Sequence, residues 1–178
     1  MDVRTTLIKF DEYLAGKGVN LEAIVIGGAA LSIMGVITRD TVDVDCLDPK
    51  ISEEILQHAA EFRKSFPELG LIEKWINNGP DSLIRDLPRG WREGLISIFQ
   101  GKALHFLTLS RIDLLGTKLF AFCDRDQDLQ DCLALRPTLD ELNLCLEWVS
   151  ERDAHPDWPE NVRRHFNILK IRLGYAEG

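Results

Sequence analysis

Ile26-Gly27-Gly28-Ala29-Ala30 and, further on, Arg39-Asp40-Thr41-Val42-Asp43-Val44-Asp45 are the stretches from which the fold is read. Immediately upstream, Ala23-Ile24-Val25-Ile26 is a short, uncharged, β-branched run, the pattern of a buried strand. The glycine pair turns the chain out of that strand, and Ala29 to Met34 reads as a short helix closed by Gly35. Thr41 to Leu47 then reads as a second strand, in which Val42, Val44 and Cys46 alternate with Asp43, Asp45 and Leu47. Pro49 ends it, because proline cannot donate to a sheet ladder. On such a strand the side chains of Asp43 and Asp45 emerge on one face, while Val44 between them points into the core.

That arrangement has chemical consequences. Two carboxylates a few ångströms apart repel, and a divalent cation relieves them; Mg²⁺ prefers oxygen ligands and often takes one or two carboxylates plus phosphates. A Gly-Gly turn lets backbone approach a phosphate without a Cβ in the way. The N-terminus of the following helix adds N–H groups and positive potential. Together these features describe a metal–triphosphate site. A plainer reading is open to the same residues: two solvated acids on a strand face after an ordinary glycine turn. Neither Asp-x-Asp nor Gly-Gly separates the two readings alone; their order and strand context favour the first.

Outward from this pair, Leu7, Ile8, Phe10, Leu14 and Ala15 give residues 2–16 a helical spacing, ended by Gly16 and Gly18. Ser52 caps a helix over about 53–66, with Glu53 and Glu54 in its first turn. Leu71 to Ile76 reads as a third strand. Asn77 to Gly94 reads as a long loop with one helical turn, a candidate lid. Leu95–Phe99 and Ala103–Leu107 flank Gln100-Gly101-Lys102 as a hairpin. Ser110 caps a strong helix, with Asp113 in the capping-box position. A helix over Leu139–Val149 and a last one over about 160–173, set off by Pro156 and Pro159, complete the chain. The fold class is α/β (α+β): a mixed sheet flanked by helices over 1–109 and a helical C-terminal part over 110–178, packed on the same core.

The order Gly27-Gly28, then Asp43-Val44-Asp45 preceded by Arg39 and Thr41, resembles the nucleotidyltransferase superfamily, with its DNA polymerase β-like fold. The nearest branch is the AbiEii-like, minimal-nucleotidyltransferase group, which also carries Lys-Leu on a later helix and a downstream Arg-Asp-x-x-Asp segment. This chain has Lys118-Leu119 and Arg125-Asp126-Gln127-Asp128-Leu129-Gln130-Asp131, so the resemblance spans about residues 21 to 135. It implies that Asp43 and Asp45 bind Mg²⁺ (or Mn²⁺) and the triphosphate, and that Gly27 and Gly28 cradle phosphates. It assigns Lys118 to neutralising phosphate or holding the acidic cluster, and Arg39, Thr41, Asp128 and Asp131 to the nucleotide. Arg39 can equally pair with Asp43, and Asp128 and Asp131 can equally be a structural pair for Lys118 or Arg125. The implied activity is transfer of a nucleoside monophosphate from an NTP to a protein, a tRNA end or a small molecule, and an antitoxin is the type of protein partner implied.

One departure is visible. Active members of the superfamily add a third carboxylate from a neighbouring strand. Here that strand offers Glu73 or, nearer the expected place, Asn77, which is a weaker ligand and no useful base. The alternative implied is a nucleotide- or partner-binding module without turnover.

Composition sets outer bounds. With 21 Lys+Arg against 29 Asp+Glu in 178 residues, the net charge is −8, which excludes a broadly basic nucleic-acid coat. A local cationic run, Arg163-Arg164-His165 with Lys170 and Arg172, can touch a polyanion or pair with nearby acids. The four cysteines show no metal-ligand spacing and read as buried free thiols. The longest uncharged stretch, Ala23 to Thr38, is broken by glycines and falls short of the roughly 20 apolar residues of a membrane span, so a soluble, cytoplasmic protein is expected.

Overall fold

The computed structural model describes residues 1–175, the side chain of Asp81 excepted. Met1–Leu87 with Arg92–Leu109 form one compact unit, and Pro88–Trp91 with Ser110–Gly178 form the other. The first carries a mixed five-stranded sheet, β1 (Leu21–Ile26), β2 (Val44–Asp48), β3 (Ile76–Asn77), β4 (Ile96–Gln100) and β5 (Leu104–Thr108), in the order β3-β2-β1-β5-β4. β1 runs antiparallel to β2 and parallel to β5; β3 is parallel to β2, and β4 pairs antiparallel with β5.

Helices α1 (Val3–Lys17), α2 (Gly27–Ile33) and α3 (Glu53–Ser65) belong to the same unit. Along α1, Leu7, Phe10 and Leu14 recur at i, i+3 and i+7 and are fully buried, whereas Ile8 is half exposed. Phe10 meets Phe62 of α3 and Trp75 with ring centroids 5.1 and 5.0 Å apart. Trp75 is 1% exposed, and its indole N–H donates to the carbonyl of Ala59 at 3.1 Å. This aromatic anchor fixes the chain just before β3. The hairpin β4–β5 is tied to α1 by Asp11, whose carboxylate accepts N–H groups of Lys102, Ala103 and Leu104 at 3.0, 2.8 and 2.8 Å.

The second unit is helical: α4 (Arg111–Arg125), α5 (Leu129–Leu135), α6 (Leu139–Ser150) and α7 (Trp158–Arg172). Ser110 accepts the Asp113 N–H at the start of α4, and Thr138 with Glu141 forms a full capping box on α6. The Asp113 side chain instead receives the Ser110 hydroxyl at 2.7 Å. Trp158 is 5% exposed and donates to the Val149 carbonyl, so α6 and α7 are joined at their connecting ends.

Several expectations need correction. The third strand is only Ile76–Asn77; Leu71–Trp75 leads up to it as turn and irregular chain, leaving Glu73 exposed outside the sheet. Periodicity cannot define a two-residue strand, which exists here because its partner β2 is adjacent. β2 begins at Val44, not Thr41, and α2 begins at Gly27 rather than Ala29. The loop after Asn77 holds two 3₁₀ turns, Asp81–Arg85 and Trp91–Gly94, not one. Pro159 sits inside the first turn of α7, where a missing N–H costs nothing, so that helix starts at Trp158. All four cysteines are free and buried, as their spacing suggested. Among the described residues, no helix is long and apolar enough to cross a membrane.

Candidate active site

The site is built where β1 ends beside the start of β2. Ile26 lies opposite Asp45 in the antiparallel register, and Asp45 lies opposite Asn77 in the parallel one. Three adjacent strands therefore deliver Asn77, Asp45 and the Gly27 turn in one row. Asp43 precedes β2 by one residue, and Val44 between the two acids is fully buried. The side-chain amide nitrogen of Asn77 lies 3.2 Å from Asp45 Oδ1 and 3.4 Å from Asp43 Oδ2, so both carboxylates face the same group.

Gly27 is required here twice over. Its φ is +75°, in the left-handed region, and a Cβ on it would lie 2.8 Å from Asp45 Oδ2. A Cβ on Gly28 would stand 3.2 Å from the Thr41 hydroxyl and 3.8 Å from an Arg39 guanidinium nitrogen. Thr41 donates that hydroxyl to the Asp43 carbonyl at 3.1 Å, holding the approach to the first acid. Gly27, Gly28, Arg39, Thr41, Asp43 and Asp45 thus lie in one neighbourhood of the first unit. Partial burial, and secondarily the charge of Asp45, push the Asp43 carboxyl above its ordinary value. An open cleft of about 620 Å³ extends from Asp43, Asn77 and Gly79 toward Leu56, Ala59 and Ala60 of α3.

Two residues that the sequence did not single out complete this end. The Gly79 N–H donates to Asn77 Oδ1 at 2.6 Å, which fixes the amide with its nitrogen toward the acids. Asn78 accepts from Ile51 N at 2.8 Å and donates to Ile51 O at 3.3 Å, locking the loop against the chain that leaves β2. The signal was the Asn-Asn-Gly-Pro string, whose side chains commonly bond nearby backbone.

In the second unit, Lys118 is buried and its ammonium donates to Asp128 at 2.9 Å and to Asp131 at 2.7 Å. Asp131 is 1% exposed, so this is an internal ion triad joining α4 to the start of α5. Asp126 caps α4 in the left-handed region and meets a ring nitrogen of buried His165 at 2.7 Å. Along α7, Arg163 pairs with Glu160 and Arg164 with Asn161, so several of the local cations have partners.

The donor chemistry fits an oxygen-preferring cation. Two carboxylates converge on one amide, and the missing Cβ of Gly27 keeps the flank of Asp45 open. The fit stops at two: among the described residues, no group of three or more His, Cys, Asp or Glu side chains is suited to hold a metal ion.

A family model described as nucleotidyltransferase of unknown function (DUF6036) matches residues 5–145. The chain belongs to this family. The match takes in the whole sheet of the chain, the acid pair, and the Lys118 triad. Comparison with the curated proteins and with the solved structures finds no match.

Proposed function

We propose that this nucleotidyltransferase-family chain binds an NTP with Mg²⁺ (or Mn²⁺) at Asp43 and Asp45 and transfers the nucleoside monophosphate to an acceptor. The observation that carries the reading is the convergence of both carboxylates on one group, Asn77, with Asp45 beside Cβ-free Gly27. A divalent cation bound there would supply Lewis-acid stabilisation of the charge on the phosphoryl oxygens of an in-line displacement. Asp43 and Asp45 would hold it, and Gly27-Gly28 would let phosphate oxygens come close to the backbone. Arg39, whose guanidinium flanks Gly28, would meet phosphate charge on this reading. In the reaction an acceptor hydroxyl oxygen bonds to the α-phosphorus and gives its proton to water, and pyrophosphate leaves with the electron pair of the broken P–O bond.

The acceptor is a protein side chain, a tRNA end or a small hydroxyl compound. Incubating the protein with Mg²⁺, α-labelled NTPs and each acceptor class tests the reading. Label should reach one acceptor, and Asp43→Ala should abolish the transfer; no label on any acceptor counts against catalysis. An antitoxin-type partner follows only if the chain is of the AbiEii-like branch. Growth arrest on expression, lost in Asp43→Ala, would support that.

A second reading is favoured by one observation: Asn77, not a carboxylate, faces both acids. On that reading the chain binds nucleotide without turnover, and calorimetry would report affinity where the labelling assay reports no transfer.

A further inference from the structure

The group opposite the two acids is a donor, not an acceptor. Asn77 Oδ1 is occupied by the Gly79 N–H at 2.6 Å, so the amide turns its nitrogen to Asp45 and Asp43. Gly79 has a reason to lack a side chain, since its Cβ would fall 2.7 Å from that same oxygen. The chain that carries this amide is anchored. Ile76 before it is buried in the sheet, and Trp75 is anchored to α3. Asn77 can therefore present its oxygen to a cation only by giving up a short backbone bond.

From this we infer that Asn77 is a positioning residue that makes the acid pair a site for a single cation delivered together with a triphosphate. Its N–H₂ donors bridge both carboxylates and partly answer their repulsion. A bare cation must displace those donors and gains no third protein carboxylate from this position. A cation already chelated by a triphosphate brings its remaining oxygen ligands with it, as Mg²⁺ commonly does. A two-cation arrangement, with ions roughly 3.5–4 Å apart, calls for more bridging carboxylate than this row supplies. The inference rests on reading Asp43 and Asp45 as a cation–triphosphate site.

The test is a Mn²⁺ titration followed by electron paramagnetic resonance, with and without a non-hydrolysable ATP analogue, on the full chain and on Asn77→Asp. The natural protein should take up one Mn²⁺ with the analogue and bind Mn²⁺ alone much more weakly. Asn77→Asp should bind Mn²⁺ alone about tenfold or more tightly than the natural protein, the scale on which a metal site's supporting groups act. It should also take a second Mn²⁺ with the analogue. Two Mn²⁺ in the natural protein with the analogue overturn the inference. So does unchanged Mn²⁺ affinity in a folded Asn77→Asp.

If three carboxylates keep Asn77→Asp from folding, Asn77→Ala replaces it. Loss of the competing donors should strengthen binding of Mn²⁺ alone, and unchanged affinity there is equally fatal. Failure of the underlying reading looks different. The natural protein would then bind no Mn²⁺ with the analogue, whatever the Asn77 variants do with Mn²⁺ alone.

Discussion

Asp11 shows how much a single side chain can organise. Burial by itself would raise its carboxyl, but three backbone N–H donors, with the charge of Lys102, hold it below the ordinary 3.8. The fold therefore favours the ionised form, and the unfolded chain takes up a proton first as pH falls. Its stabilising contribution is complete above about pH 3.8 and is lost as pH drops from there through the lower folded value. Asp11→Ala should cost about 2–3 kcal/mol at neutral pH, because it strands N–H donors of the hairpin turn. Urea midpoints down a pH series check both claims: the gap between natural protein and variant should narrow only on the acid side. Gly101→Ala should be destabilising for the same reason, since its Cβ would run into the Asp11 carboxylate. None of this was legible in sequence, where Asp11 is one acid on an amphipathic helix. Its partners lie about ninety positions away. Asp43 and Asp45 were legible because extended chain at that spacing turns both to one face, although Asp43 lies one residue before β2. Asn77 stands out in sequence as a departure, but its amide orientation depends on Gly79, which only the folded turn reveals.

At the scale of elements, the α4–α5 join rests on the Lys118 triad. Removing one partner from a buried ion group leaves uncompensated charge, so Lys118→Met should destabilise the protein by about 3–5 kcal/mol. A melt monitored by circular dichroism checks it. A small change in stability with a large loss of nucleotide affinity would instead point to a role at phosphate. In sequence, Asp128 and Asp131 read as nucleotide ligands or as a structural pair for Lys118 or Arg125. In the fold, Asp126 meets His165, and Asp128 and Asp131 share Lys118, so much of that charge is answered internally. Helices were read well where caps and periodicity agree, as at Ser52, Ser110 and Leu139–Ser150. β3 was not, because a two-residue strand is defined by the pairing of Val44 with Ile76 and not by any pattern of its own.

At the scale of the whole molecule, the charge of −8 sets a condition on function. A metal-free triphosphate is itself strongly anionic and would meet two carboxylates on an acidic protein, so nucleotide affinity should depend steeply on the divalent cation. The family match over residues 5–145 covers the acid pair and the helices through most of α6, leaving α7 outside it. Charge-neutral replacement of the exposed Arg163 and Arg164 should accordingly leave nucleotide affinity unchanged, as read by calorimetry. The central claim is that Asp43 and Asp45 hold a cation–triphosphate, and calorimetric titration with Mg²⁺ and a non-hydrolysable NTP tests it most directly. Binding should appear in the natural protein, vanish on chelation of Mg²⁺, and vanish in the folded Asp43→Asn, Asp45→Asn double variant. Binding that survives both changes, or no binding of any NTP, would contradict it.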